Sequence, residues 1–353
     1  MELGSEYNLS LSKLTVTDNN IFSYLSGYKK VFYFDSGRSA IKHISEQLAA
    51  DVKVLLPEFI CESVSNCFAK EQIVYYRLDD NLVIDTDDVL GKMDNEQCII
   101  FLMHYFGSLQ PVNVLDRISS IASKTGSVII EDTTHCIFTK SDTIGDYMVC
   151  SIRKWLPTPG GGVLYFNDNK LKLTDPKYPK SSDNLRSYGM MLKDLFLTEH
   201  FDCNTEYRRI FGQSEERLDL QTGLFEISDL SRFIASCVDI GELTKTRQSN
   251  YRMIRNAIMR LGIAPAVKYE SSDIPLAVPI RVRERDKLRK YLENNNIYCA
   301  VHWPFDGMYP DQRPLAIRNA KELISLPMDQ RYNKTHMTYM IDILEKYGGE
   351  LSF

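Results

Sequence analysis

Residues 145–162 read GDYMVCSIRKWLPTPGGG and carry an apolar run into a cluster of three glycines. The apolar part predicts a strand, after which Ser151 and Lys154 lie about one turn apart. A lysine in this setting suits a Schiff base with a cofactor, while the serine and the glycine-rich return suit the cofactor's phosphate. The plain alternative is a surface lysine before a tight connection, because glycines also form turns that bind nothing.

Short apolar runs, rich in β-branched and aromatic residues, recur up to about residue 166. They predict strands at residues 31–34, 52–56, 73–76, 98–103, 128–130, 147–150 and 163–166. Several of these runs are separated by stretches long enough for a helix, at residues 39–50, 60–69 and 114–124. Strands that alternate with helices predict an α/β domain with a largely parallel sheet.

The pattern changes after these strands. Residues 171–220 are polar and irregular, which predicts loops that cover a site or a partner subunit. Residues 227–261 predict a helical stretch that leads away from the first domain. Strands at residues 276–282 and 297–301 and helices at residues 284–294 and 334–347 are predicted to follow. We therefore expect a large domain over residues 1–235 and a smaller α/β domain over residues 236–353.

The composition is that of a globular protein of 353 residues, with 44% hydrophobic and 25% charged residues. A formal net charge of -5 argues against nucleic-acid binding, which usually needs a basic face. The amino terminus resembles no signal peptide, and no stretch approaches the ~20 apolar residues of a membrane span. We therefore expect a cytoplasmic protein without a membrane partner. The eight cysteines show no CxxC spacing, so they predict neither a metal site nor a redox site.

Residues 128–135 read VIIEDTTH and place two acidic residues at the end of a buried strand. In α/β proteins the carboxyl end of such a strand points into the crevice where ligands bind. There Asp132 is a candidate partner for a protonated ring nitrogen of a cofactor, and His135 for an oxygen on that ring. The alternatives are a helix N-cap for Asp132 and a satisfied core histidine for His135.

Residues 34–41 read FDSGRSAI and run from a strand through small residues into a helix. The N–H groups at such a helix start, the hydroxyls of Ser36 and Ser39, and the guanidinium of Arg38 would all suit a phosphate. A plain N-cap explains Ser39 equally well.

Taken in order along the chain, these segments resemble the DegT/DnrJ/StrS family of sugar aminotransferases, which depend on pyridoxal 5'-phosphate (PLP). The matching segments are SGRSAI at Ser36, LPEFICESV at Leu56, HYFG at His104, EDTTH at Glu131, GDYMVCSIRK at Gly145, GGG at Gly160, LRSYG at Leu185, VHWP at Val301 and ELISLPMDQRY at Glu322. Their order is that of the family and they span nearly the whole chain, which is more specific than any single motif.

The resemblance implies an aspartate-aminotransferase-like PLP-dependent transferase fold, with a large and a small domain, in a homodimer whose sites lie at the subunit interface. It implies Lys154 as the Schiff-base lysine, Asp132 at the pyridine nitrogen and His135 near the phenolic oxygen. For the phosphate it implies Ser151, Gly37, Arg38 and Ser39. The substrate-facing candidates, by resemblance alone, are Tyr105, Phe106, Arg186, His302 and Trp303, and ordinary packing or a surface ion pair explains each of them as well.

Three positions depart from the family's pattern and mark a divergent member. The family usually has five residues from the serine to the lysine, whereas Ser151 and Lys154 are three apart, which suggests a phosphate-binding role for Arg153. Where many members stack an aromatic ring on the cofactor, this chain has Cys61, with Phe59 two residues earlier. Residues 224–226 read LFE in place of the Asn-Tyr-Arg element with which a partner subunit normally reaches the phosphate and the substrate.

By resemblance, the chain is predicted to move an amino group from an amino acid donor, glutamate, to a keto acceptor, usually a nucleotide-linked keto sugar in this family. The lysine at position 154 separates it from the family's dehydratase branch, which has a histidine there. The alternatives are a PLP enzyme with a non-sugar substrate and a non-catalytic regulatory protein that keeps the fold. Retention of Lys154, Asp132 and His135 together argues against the regulatory protein.

A hypothesis from another enzyme class is that the chain is a serine acyl-enzyme. SIRK at Ser151, SDN at Ser182 and KTG at Lys124 match the three penicillin-binding signatures literally. However, KTG precedes the other two motifs instead of following them, and it lies at a predicted helix end rather than on a strand. We therefore treat the match as accidental.

Overall fold

The computed structural model describes residues 2–140, 143–304 and 313–347. Its strands are β1 (Leu3–Gly4), β2 (Lys30–Phe34), β3 (Lys53–Pro57), β4 (Ile73–Tyr76), β5 (Cys98–Met103), β6 (Val128–Asp132), β7 (Tyr147–Cys150), β8 (Gly162–Phe166), β9 (Val278–Arg281), β10 (Ile297–Tyr298) and β11 (Leu323–Leu326). Its α-helices are α1 (Ile21–Tyr24), α2 (Gly37–Ser45), α3 (Glu62–Ser65), α4 (Thr86–Met93), α5 (Val112–Thr125), α6 (Asn184–Thr198), α7 (Asn204–Asp219), α8 (Asp229–Ser236), α9 (Ile240–Arg260), α10 (Arg285–Asn294), α11 (Pro314–Glu322) and α12 (Lys334–Tyr347). Short 3-10 turns cover Leu11–Lys13, Lys70–Gln72 and Ile152–Lys154.

The chain divides into two compact units that interleave along the sequence. The first unit comprises Met1–Ser5, Ala49–Gly145 and Glu242–Phe353, and the second comprises Glu6–Leu48 and Asp146–Gly241. These units follow spatial contacts rather than chain order. The predicted division at residues 235 and 236 stays a prediction about how the polypeptide is organised into domains.

In the first unit, β3 pairs in parallel with β4 and β5, and β5 pairs in parallel with β6. Every residue of β5 is buried, as expected for a strand covered on both faces. The helices α4 and α5 connect these strands, which is the crossover that parallel pairing requires. The predicted parallel α/β arrangement is therefore confirmed for these strands, and their carboxyl ends share one edge of the sheet.

A second apolar core lies in the first unit and gathers the carboxyl-terminal part of the chain. Here β9 and β11 pair antiparallel, and β1 pairs in parallel with β10. Buried side chains from α9, α10 and α12 pack with these strands, among them Ile254, Leu288 and Met340. The predicted strand at residues 297–301 is shorter than expected, because only Ile297–Tyr298 forms a ladder.

In the second unit, β8 pairs antiparallel with both β2 and β7. The register sets Phe34 opposite Gly162 and Cys150 opposite Val163. Three connections of interest therefore meet at one end of these strands: the start of α2, the turn after β7 and the glycine-rich return before β8. The strands themselves were predicted to within one residue.

The loops predicted at residues 171–220 are wrong, because α6 and α7 occupy most of this segment. The two helices share a small apolar cluster that includes Met190, Tyr207, Ile210 and Phe211. A Cβ on Gly189 would come within 3.0 Å of Ile210, so this glycine lets the helices approach closely. The apolar stripe of each helix is narrow and the other faces are polar. The composition of the segment therefore favoured loops.

Two other helix predictions differ from the structure. The stretch at residues 227–261 is two helices, α8 and α9, rather than one. The helix expected at residues 60–69 is a single turn, α3. Within the described residues, no helix combines the length and apolar character that crossing a bilayer requires.

Candidate active site

Asp132 ends β6 and is buried at the carboxyl edge of the parallel strands. Its Oδ1 accepts a hydrogen bond from the N–H of Thr134 at 2.8 Å. This contact forms a turn within the segment rather than a helix N-cap, because no helix follows β6 directly. The bond fixes the orientation of the carboxylate, as a partner for a ring nitrogen requires.

His135 is buried, and its hydrogen bonding identifies the nitrogen that carries the proton. Its Nδ1 accepts the backbone N–H of Phe106 at 3.2 Å. A ring nitrogen that accepts has no proton, so the neutral ring carries its proton on Nε2. His135 can therefore donate through Nε2, which is the chemistry that a phenolic oxygen needs from it.

Aromatic rings from several segments of the first unit pack together around His135. Trp303 stacks on the histidine with ring centroids 5.7 Å apart and an interplanar angle of 20°. Phe59 lies 4.9 Å from Trp303 and stacks on Tyr105 at 5.8 Å. His302 lies 5.8 Å from His135. These four predicted residues are thus neighbours of His135 or of one another in this unit.

The other predicted residues of this region have well-defined protein contacts. The hydroxyl of Tyr105 donates to the carbonyl of Phe59 at 2.7 Å, and burial raises its pKa well above the ordinary value. The ring of Phe106 lies 5.3 Å from that of His135. Cys61 is half-buried at the start of α3, with its Sγ 3.0 Å from the Ser63 hydroxyl. His302 Nδ1 lies 2.9 Å from the hydroxyl of Ser325.

A buried pair beside Asp132 carries a structural role that the sequence did not reveal. Glu131 Oε1 accepts from His104 Nε2 at 3.0 Å, and Oε2 accepts the N–H groups of Ile144 and Gly145. His104 Nδ1 accepts the N–H of Gln110 at 2.9 Å. The acidic residue before Asp132 therefore anchors two loops at the edge of the sheet. The signal that the sequence offered for this pair was the presence of two polar residues, His104 and Glu131, beside apolar runs.

A segment that contains Asp273 packs against the turn that follows His104. A Cβ on Gly107, whose φ is +104°, would meet the carbonyl oxygen of Ile274 at 2.3 Å. Only glycine therefore fits under this segment. Burial raises the pKa of the Asp273 carboxyl to about 6, although the N–H of Glu270 donates to it at 2.9 Å.

Asp273→Asn is expected to stabilise the protein at pH 7.5 and to have little effect near pH 3.5. Because folding raises the pKa of Asp273, the stability this carboxyl contributes is present below pH ~4 and is lost as the pH rises through about 6. Asparagine keeps an acceptor for Glu270 and carries no charge. We expect a gain of about 2 kcal/mol, or a few degrees in Tm, at the higher pH. Thermal unfolding at both pH values measures it, and a gain of equal size at the two contradicts the assignment.

In the second unit, the phosphate turn predicted at residues 36–39 lies against Ser151. Ser36 caps α2 by accepting the N–H of Ser39 at 3.2 Å, so the N-cap alternative offered for Ser39 is wrong: the cap is Ser36, and Ser39 lies within the helix. A Cβ on Gly37 would lie 3.0 Å from the Cβ of Ser151. The N–H of Gly37 lies in the first turn of the helix, where the helix itself offers no acceptor.

The glycine-rich return closes tightly on the same turn. A Cβ on Gly162 would lie 1.9 Å from the carbonyl oxygen of Ser36, so no side chain fits there. Gly161 donates its N–H to the carbonyl of Asp35 at 2.5 Å. Burial raises the pKa of the Asp35 carboxyl.

Lys154 ends the 3-10 turn Ile152–Lys154, directly after the segment that faces Gly37. Arg153, for which the shortened spacing suggested a phosphate-binding role, binds Glu215 of α7 at 2.8 and 3.4 Å. Arg186, predicted to face the substrate, binds the same Glu215 and also Glu6. The structure therefore brings Arg153 and Arg186 together at one carboxylate, a connection that the sequence did not suggest.

Two further predictions concern the rim of the phosphate turn. Arg38 donates to the carbonyl of Leu218 at 3.1 Å and pairs with Asp219 at 2.7 Å, so its guanidinium engages the end of α7. The LFE segment at residues 224–226 lies along β2, where the Phe225 carbonyl accepts the N–H of Asp35 at 3.1 Å.

Within the second unit, the Gly37 N–H and the hydroxyls of Ser39 and Ser151 fit the phosphate of PLP. Within the first unit, the buried carboxylate of Asp132 fits a protonated pyridine nitrogen. The buried hydroxyl of Thr158, in the glycine-rich return, has no hydrogen-bond partner among the residues that the structure describes. A buried hydroxyl of this kind needs an explanation, and a bound ligand is one that fits this position.

Comparison with known proteins identifies the relatives of this chain. The profile of the DegT/DnrJ/EryC1/StrS aminotransferase family matches residues 61–345. The chain is 21% identical over 285 residues to a pleiotropic regulatory protein of Geobacillus stearothermophilus, with 75% of this chain and 69% of that protein covered. It is 20% identical over 284 residues to dTDP-3-amino-3,6-dideoxy-alpha-D-galactopyranose transaminase of Aneurinibacillus thermoaerophilus, with the same 75% and 69% covered.

A solved structure gives the corresponding comparison of folds. The putative sugar aminotransferase Spr1654 from Streptococcus pneumoniae, in its PLP form, has a TM-score of 0.68 and 14% identity, with 99% of each chain covered. The α/β fold of PLP-dependent aminotransferases, predicted from the sequence, is therefore confirmed.

Proposed function

The chain belongs to the DegT/DnrJ/EryC1/StrS aminotransferase family, and on that premise we propose that it binds PLP at Lys154 and transfers an amino group from an amino acid to a keto acceptor. The observation that carries the proposal is the juxtaposition in the second unit. The turn at residues 36–39 lies against Ser151, three residues before the lysine. A phosphate cup beside a lysine is the arrangement that a lysine-bound cofactor needs.

When bound, PLP acts as an electron sink that stabilises negative charge on the substrate carbon. Lys154 would hold PLP through a Schiff base and would act as the general base and acid that moves the substrate proton. Asp132 keeps the pyridine nitrogen protonated. His135 donates from Nε2 to the phenolic oxygen, a role supported by the hydrogen bond that its Nδ1 accepts from Phe106.

The phosphate is held in this proposal by Gly37, Ser39 and Ser151, with Arg38 at the rim. Phe59 and Cys61 are the candidates for covering the cofactor ring. For the substrate we propose the residues named from the family resemblance: Tyr105, Phe106, Arg186, His302 and Trp303. Of these, Trp303 is the best supported, because it stacks beside His135.

For the acceptor we propose a nucleotide-linked keto sugar, and for the donor glutamate. The similarity to a dTDP-amino-sugar transaminase and to a putative sugar aminotransferase supports a sugar. A regulatory function is the second candidate, favoured by the similarity to a pleiotropic regulatory protein. We further propose a cytoplasmic homodimer with a large domain over residues 1–235 and a small domain over residues 236–353.

The test is optical and uses the purified full-length protein. With PLP we expect a yellow protein whose visible absorption disappears when L-glutamate is added, because the amino group passes to the cofactor. Nucleotide-linked keto sugars should then restore the absorption better than simple keto acids. Recovery with keto acids alone would remove the sugar acceptor. A protein that stays colourless with PLP would favour the regulatory candidate over the enzyme.

A further inference from the structure

The 3-10 turn Ile152–Lys154 limits the directions that its side chains take. With three residues per turn, successive side chains point about 120° apart. Ile152 is fully buried, which fixes the first direction. Arg153 is bound through two nitrogens to Glu215, which fixes the second. The third direction, that of Lys154, then follows from the other two.

We propose that Glu215 is a positioning residue for Lys154. By holding Arg153, it fixes the direction in which the turn presents the lysine to the cofactor. This inference rests on the proposed function, because it assumes that Lys154 binds PLP. It also assigns a role to Arg153 in the shortened segment between Ser151 and Lys154: this arginine anchors the turn that carries the lysine.

Glu215 is itself held in place from a second side. Arg186 of α6 binds the same carboxylate, and its guanidinium lies 5.5 Å from the ring of Phe211, one turn earlier on α7. Arg186 also binds Glu6, so two cations and two carboxylates balance in this network. The contacts form a continuous chain from the amino-terminal segment to the turn of the lysine.

The charges in this network keep the anchor intact at ordinary pH. Burial alone would raise the pKa of Glu215, but Arg153 and Arg186 lower it to about 2. The carboxylate is therefore ionised across the working range of an enzyme. The side chains of Arg153 and Arg186 are only 19% and 11% exposed, so water can replace the lost partner only in part. Without the charge at Glu215, two guanidiniums would face each other.

The experiment compares Glu215→Gln with Glu206→Gln in the full-length protein. Glu206 lies on the same helix and binds Arg209 through both oxygens, at 2.6 and 3.0 Å, but in solvent, where such a pair contributes little. Two measurements depend on the position of Lys154 rather than on turnover. They are the rate constant for covalent attachment of PLP and the visible circular dichroism per bound PLP. For Glu215→Gln we expect attachment to slow by about 10- to 100-fold and the dichroism to change, with wild-type values for Glu206→Gln.

Arg153→Met separates positioning from general packing of α6 and α7. It removes the contact with the turn but leaves Arg186 bound to Glu215. If Glu215 acts through Arg153, then Arg153→Met reproduces both changes and the double variant is no worse than either single one. Wild-type readouts for Arg153→Met, or for Glu215→Gln, would overturn the inference. A wild-type protein that does not attach PLP at all would instead overturn the proposed function.

Discussion

Lys154→Ala is expected to abolish covalent attachment of PLP and to reduce transamination by about 10⁴-fold, the upper end of what a positioned acid–base group contributes. Alanine removes both the amine that binds the cofactor and the group that moves the substrate proton. PLP should still bind without a covalent bond, because the phosphate turn at residues 36–39 is unchanged. Absorption spectra and single-turnover rates with L-glutamate measure the two effects.

Lys177→Ala is the matched control for this prediction. Lys177 is an exposed lysine in the same unit, and its loss should leave the spectrum and the rate unchanged. Lys154→Arg, which keeps a positive charge but has no primary amine, should behave like the alanine variant. If either Lys154 variant retains covalent PLP, another lysine carries the cofactor.

Asp132→Asn is expected to keep PLP covalently bound but to slow transamination by about 10²- to 10³-fold, comparable to the loss of a preorganised electrostatic contact. Asparagine can still accept the N–H of Thr134, so the local turn is retained. It cannot hold a proton on the pyridine nitrogen, and the ring then accepts electrons less readily. Single-turnover kinetics at saturating L-glutamate measure the loss.

The control for Asp132 is Asp116→Asn, which removes an exposed carboxylate from α5 in the same unit. Its rate should equal that of the wild type. A wild-type rate for Asp132→Asn would contradict the proposed contact with the pyridine nitrogen. Loss of covalent PLP in that variant would instead indicate that Asp132 supports the fold of the site.

The sequence predicted the strands of the site well because their signals are local. Continuous apolar runs identified β4, β5 and β7 to the residue. The small-residue turn at residues 36–39 was also visible, because only small residues fit where Gly37 meets Ser151. Such positions depend on neighbours a few residues away or on backbone geometry, both of which leave a direct mark on the sequence.

The helices α6 and α7 were missed because their stability comes from each other. Each has a narrow apolar stripe, and isolated helices of this kind are marginal, so tertiary packing decides. Missing α7 also meant missing a contact of the site. Glu215 lies on α7 and contacts Arg153, which is 62 residues earlier. No sequence pattern links these two residues, and a helix that was expected to be a loop could not supply an anchor.

The second limit on prediction from the sequence was the pairing between polar residues. His104 and Glu131 both stood in recognised motifs, yet they come within 3.0 Å of each other only because His104 directly follows β5 and Glu131 lies in the adjacent parallel strand β6. The guanidinium of Arg186, which we propose for the substrate, also binds Glu215 and Glu6. In both cases the residue was found and its partner was not, because register and helix packing set the partner.

The proposed function depends most directly on the covalent link between PLP and Lys154. The purified protein is incubated with PLP, reduced with sodium borohydride to make the link permanent, digested, and analysed by mass spectrometry. We predict one modified peptide that contains residues 151–154, with the added mass on Lys154. Modification of a different lysine, or no modified peptide from a fully folded protein, would contradict it.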